Sequence, residues 1–194
     1  MITSIAENIA AFFVSKGIIP KQKQDVLRYG FELIISTLVG ILVILAAGAI
    51  TGKFWYSVLF MAVFIPLRQY TGGYHADTYL QCNIKFIMTF LILLFVFSII
   101  PAEMYVNVNC ICTVLSLLIV ILFAPIDNKN KRLSFKKKRK FKKISILFTI
   151  VLSVFLWIMF FYNKTISLFI ALTMLVVAVL MILGKTKNKM EVNL

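Results

Sequence analysis

Residues 31–50 read FELIISTLVGILVILAAGAI, twenty positions with one charge, Glu32, near the start. At about 1.5 Å of rise per residue, a helix of this length is about 30 Å long, the thickness of a bilayer's hydrocarbon layer. A helix also satisfies its backbone hydrogen bonds internally, which is the condition for crossing lipid. The stretch therefore predicts a membrane-spanning helix. Working outward, further apolar runs cover 54–67, 84–100, 104–126, 144–162 and 166–183. The run 84–100 is at the lower length limit and carries Lys85 at its start, from where a long side chain reaches the interface. The run 54–67 is too short for an upright span and contains Pro66. A short span, a re-entrant segment and a broken helix lining a cavity all remain open for it. The chain is 61% hydrophobic, against about 45–50% in soluble domains. The expected fold is an all-α integral membrane protein: one polytopic domain over 1–194, with about six transmembrane or re-entrant helices.

Before the first span, 1–28 reads as interfacial. Ile2, Ile5, Ile9 and Phe12/Phe13 recur at helical spacing among polar residues, which predicts an amphipathic helix lying on the membrane. Pro20 opens a second short helix bearing Lys21, Lys23 and Arg28 and running toward the first span. Lys16, Gly17 and Pro20 interrupt the apolar pattern, so no signal peptide is expected. After residue 126 comes a basic loop at 128–143, then a hairpin over 144–183, then a tail at 184–194.

The chain carries 21 basic and 7 acidic side chains. With the N-terminus inside and six crossings, only Lys53 and Lys164 fall outside. That asymmetry is what the positive-inside rule describes, and it places both termini in the cytoplasm. Cations lying between apolar runs face lipid headgroups, so nucleic acid is not the expected partner; the lipid bilayer is. The run Lys136 to Lys143 suits anionic headgroups and also suits an acidic segment of a partner. The three cysteines, Cys82, Cys110 and Cys112, make no CxxC, and one histidine with few carboxylates gives no metal-site spacing. No metal and no cofactor are expected. Cys110 and Cys112, inside an apolar run, read as small structural hydrophobes.

Chemistry is concentrated in one polar interruption, RQYTGGYHADTYLQC at 68–82, which holds the lone His75 and also Cys82. In a Cys/His pair, a thiolate attacks a carbonyl while the imidazole moves the proton. On one straight helix, residues seven apart sit about 10.5 Å apart along the axis. That is too far, so the chain must bend near His75. Gly72 and Gly73 supply the freedom for that bend and for close backbone approach to a substrate. Asp77 or Thr78 is the candidate cap for a helix carrying Cys82 in its second turn, where the helix dipole and Lys85 favour a thiolate. Asp77 is alternatively a third group orienting His75. Gln81, or backbone N–H groups, are candidate oxyanion donors. Arg68 is a substrate-carboxylate partner, a loop clamp or a topological anchor. Glu32 is placed to pair with Arg28 one turn earlier.

These residues resemble the accessory gene regulator B (AgrB) family. The likeness rests on Arg68, Gly72, Gly73, His75, Ala76 and Cys82 in their spacing. Ala124-Pro125 followed by Asn130-Lys131, and Arg28 to Glu32 entering the first span, add to it. The resemblance implies a cysteine endopeptidase of the cytoplasmic membrane of Gram-positive bacteria, with its active site toward the cytoplasm. Its substrate would be an AgrD-like quorum-sensing pro-peptide with an acidic C-terminal tail. It further implies that Cys82 attacks the bond before the tail, His75 acts as general base, and an acyl-enzyme thioester closes to a thiolactone or lactone. Arg68 and Gly73 carry over as motif residues, and the family implies a homodimer. The competing class is a non-enzymatic small transporter or peptide exporter whose polar segment lines a pathway.

Overall fold

The computed structural model describes residues 2–72, 78–126 and 134–190, with side chains through 186. The helices are α1 (Ile2–Ser15), α2 (Gln24–Ile50), α3 (Phe54–Thr71), α4 (Tyr79–Ile99), α5 (Tyr105–Phe123), α6 (Phe135–Tyr162) and α7 (Lys164–Met190). Five of them, α2 and α4 to α7, are long and apolar enough to cross a membrane. The protein is an all-α integral membrane protein.

Short connections force neighbouring helices to run in opposite directions, so the bundle has two ends. Polar contacts link residues 28–32, 68–72, 79–82 and 126 at one end. At the other, Tyr56 packs on Phe97 and Phe169 with ring centroids 5.2 and 4.9 Å away. α3 touches both ends: Tyr56 lies in its first turn and Gly72 caps its last. Its 18 residues span about 27 Å. Of the three possibilities open for the run 54–67, the structure has a continuous helix along the bundle. Pro66 lies inside it, removing one backbone donor without ending the helix, and packing against α2, α6 and α7 supports it.

α7 is the central helix. In its apolar stretch 61% of residues are buried, against 17% in α4 and 22% in α2 and α6. Small and hydroxyl side chains allow this close approach. Ser167, Ala171, Thr173 and Ala178 of α7 are fully buried. On α6, the Ser145, Thr149 and Ser153 hydroxyls donate to carbonyls one turn back. That satisfies their polarity inside their own helix and leaves a smooth face for α7. Ser167 donates across the hairpin to the Leu156 carbonyl at 2.7 Å.

One expectation changes, and one contact is added. Residues from Phe135 onward, expected as part of the basic loop 128–143, are the first turns of α6. Lysine and arginine are good helix formers, and a charged run without apolar period conceals that preference. On α1, Ala6 and Ala10 are the buried residues and Phe13 packs on Phe31 of α2, while Ile5 and Phe12 face outward. The small residues, not the large ones, set that contact.

Candidate functional site

The site is built at the end where α3 stops and α4 starts. α4 begins because Thr78 caps it: its backbone is extended and its side-chain oxygen accepts from the Gln81 N–H at 3.2 Å. Of the two candidate caps the structure uses Thr78, with Tyr79 the first helical residue. Cys82 therefore lies in the first turn, not deeper, and its N–H is bonded to the Thr78 carbonyl at 3.0 Å. The backbone N–H groups of Gln81 and Cys82 are thus both engaged within the turn. Cys82 is exposed, as are the side chains of Gln81 and, one turn on, Lys85. His75, Gly73 and Asp77 lie outside the described residues.

Arg68 closes α3 from its last turn. It donates to the carbonyl of Gly72. Arg68 thereby clamps the chain, one of the three roles open to it. Gly72 has φ +69 and ψ −153, a conformation essentially confined to glycine. It forms a parallel bridge with Ile126, whose N–H bonds the Thr71 carbonyl at 2.9 Å. A Cβ at Gly72 would lie 2.2 Å from the Ile126 carbonyl oxygen. The close approach expected at this glycine is therefore to the chain's own backbone. Ala124-Pro125, which the sequence left as a separate element, leads directly into this contact.

Two neighbours complete the surroundings. Tyr70 packs edge-on against Phe141 of α6, with ring centroids 5.6 Å apart. That contact draws Lys140, Lys142 and Lys143 to the same end of the bundle. On the α2 side, Glu32 is buried and accepts a hydrogen bond from the Tyr79 hydroxyl at 2.9 Å. Its other oxygen is 4.0 Å from Arg28 Nε, and Arg28 also reaches Asp25 at 3.6 Å. The Arg28–Glu32 pairing expected from spacing is present. The link to Tyr79, 47 residues away, carries no local sequence signal. Cys112 is buried; Cys110 is exposed near the start of α5, toward the opposite end.

Comparison with known proteins fits this arrangement. The profile of the family accessory gene regulator B, AgrB, matches residues 6–182. A protein named AgrB-like protein 2 from Clostridium perfringens strain 13 is 31% identical over 180 residues, covering 87% of this chain and 82% of the relative. An AgrB-like protein of Clostridium perfringens strain SM101 is 28% identical over 171 residues, 84% and 80% of the two chains. One from Listeria monocytogenes strain EGD-e is 26% identical over 152 residues, 77% and 74% of the two. No solved structure matches the chain. With a helical membrane bundle and a profile match spanning nearly its whole length, the chain belongs to the AgrB family, membrane proteins of the accessory gene regulator quorum-sensing system.

Proposed function

We propose that this protein is a membrane-embedded cysteine endopeptidase that removes the C-terminal tail of an AgrD-like pro-peptide and promotes its cyclisation. The observation that carries the reading is the exposed thiol of Cys82 in the first turn of α4. The thiolate is the form that attacks carbonyls. Seven residues earlier, His75 is the general base of the proposal. It takes the thiol proton and returns it to the amine of the departing tail. The peptide is left as a thioester on Cys82 Sγ. A Cys thiol or Ser hydroxyl within the same peptide then attacks that thioester, closing a thiolactone or lactone and releasing the Cys82 thiolate. A tethered nucleophile outcompetes water because it is held near the acyl carbon.

Charge supports the substrate class. The first turns of α6 carry Lys136 to Lys143, and the Tyr70–Phe141 contact holds them beside α3's last turn. Cations at a helix N-terminus oppose its dipole, so an acidic tail docked there would relieve that repulsion. By the positive-inside rule this end faces the cytoplasm, where a newly made pro-peptide is available.

The test is co-expression of a pro-peptide with wild type, Cys82→Ala and His75→Ala, followed by mass analysis of the peptide. Full-length peptide with both variants and a tail-free, cyclised product with wild type is the expected result. Cleavage surviving Cys82→Ala would reject the assignment, and export of intact peptide without cleavage would favour the transporter class.

A further inference from the structure

We infer that the Tyr79–Glu32 hydrogen bond is a positioning brace that sets the first turn of α4, and with it Cys82, against α2. This inference rests on the proposed peptidase reading. A carboxylate buried at the edge of an apolar bundle is costly unless it is paired, so Glu32 needs a reason to be there. Its partners are Arg28 on its own helix and the Tyr79 hydroxyl on α4. Arg28 lies on the same helix and positions nothing else. Tyr79 is the first residue of α4 and stands three positions before Cys82, nearly one turn and so close to the same face.

The start of α4 needs such a tie. Its cap, Thr78, is exposed, and the Cys82 side chain itself faces outward. The first deeply buried residue of α4 is Phe90, two turns beyond Cys82. Core packing reaches α4 at Phe86, one turn beyond Cys82, where its ring meets Phe60 and Phe64 at 5.5 and 5.2 Å, and it leaves the first turn to polar contacts. A second contact supports the register: Gly40 of α2 faces Asn83, whose Oδ1 would lie 3.1 Å from a Cβ built on that glycine. α2 thereby acts as the ruler along which the nucleophile's turn is set. Tyr79 and Glu32 are positioning residues that act through Cys82.

The test uses the full chain in lipid vesicles, in a Cys110→Ser background so that alkylation reads Cys82, because Cys112 is buried. Tyr79→Phe and Glu32→Leu are each expected to lower kcat for pro-peptide cleavage by about tenfold or more, the range of a hydrogen bond to a charged group. KM stays within about twofold, since the substrate contacts remain. The alkylation rate of Cys82 shifts measurably while the unfolding temperature stays put, which separates a displaced turn from general loosening of the fold. Glu32→Gln keeps an acceptor for the tyrosine hydroxyl and stays within about threefold of wild type. The double variant Tyr79→Phe/Glu32→Leu loses no more than the weaker single, because both remove one interaction. Wild-type kcat and alkylation in Tyr79→Phe, or losses that multiply in the double variant, would overturn the brace. Alkylation is read without substrate, so it judges the brace even if Cys82→Ala were to leave cleavage intact and sink the peptidase reading.

Discussion

The two ends of the bundle are closed by different means. At one, Tyr56, Phe97 and Phe169 from α3, α4 and α7 pack ring against ring, Phe97 and Phe169 with centroids 5.3 Å apart. Hydrogen bonds join helices there too, Asn109 to Ser167 and Ser167 to the Leu156 carbonyl, but at the other end polar contacts lead: Arg68 to Gly72 within the cap of α3, Thr71 to Ile126, Tyr79 to Glu32. Aromatic packing is broad and tolerant, and it resists separation of the helices. Hydrogen-bonded contacts set position within a fraction of an ångström, which is what the reacting thiol of the proposed function would need. The difference separates where the fold is held from where the proposed chemistry would sit. Substitutions at the aromatic end should cost fold and spare chemistry, and those at the polar end should do the reverse.

The sharpest way to break that contrast is at Cys82. Cys82→Ala is expected to abolish pro-peptide cleavage, a loss of about 10³-fold or more, since the nucleophile itself is gone. Thermal unfolding in detergent should not move, because the side chain is exposed. A fall in melting temperature would show that Cys82 is structural.

Phe169→Ala probes the opposite end. Phe169 is fully buried and contacts both other rings. The expected cost is roughly 2 kcal/mol, below the 3–5 of an aqueous core because lipid rather than water receives separated helices. Cleavage per folded molecule stays within about twofold. Lost activity at unchanged folded fraction would mean the ends are coupled.

Gly72→Ala tests the polar clamp. The conformation alone costs about 1–3 kcal/mol for a residue with a Cβ, and the Ile126 carbonyl blocks the added atom. Cleavage per folded molecule should fall at least about tenfold, against about twofold or less for Phe169→Ala. Equal activity would show that the Thr71–Ile126 contact does not support the site.

The smallest effect is expected on α6. Replacing Lys140, Lys142 and Lys143 by Gln should raise KM for an acidic-tailed pro-peptide several-fold and leave kcat within about twofold. The same rise should appear in wild type as ionic strength increases, because exposed charges are screened. A salt-independent KM in wild type would remove the acidic-tail reading.

Much of this was legible in the chain. The six apolar runs became α2 to α7, because twenty apolar residues have few other stable forms in lipid. Cys82 was expected in the early turns of a helix, and Asp77 or Thr78 was expected to cap it; Thr78 does. Three things were not legible, each for a physical reason. The charged run 135–143 shows no period to betray its helix. Gly72 looks the same in sequence whether its missing Cβ makes room for a substrate or for Ile126. Glu32 and Tyr79 are 47 residues apart and meet only because alternate helices run parallel.

What the sequence determined by itself is where the apolar runs lie and that most of the charge gathers between them, since hydropathy and charge act on each segment independently. Only the tertiary structure decided that α7, not α2 or α4, occupies the centre, and which polar groups meet. Hydropathy scores a residue against lipid and against protein nearly alike. What separates the two is packing, and packing depends on the small and hydroxyl side chains of all the neighbouring helices at once.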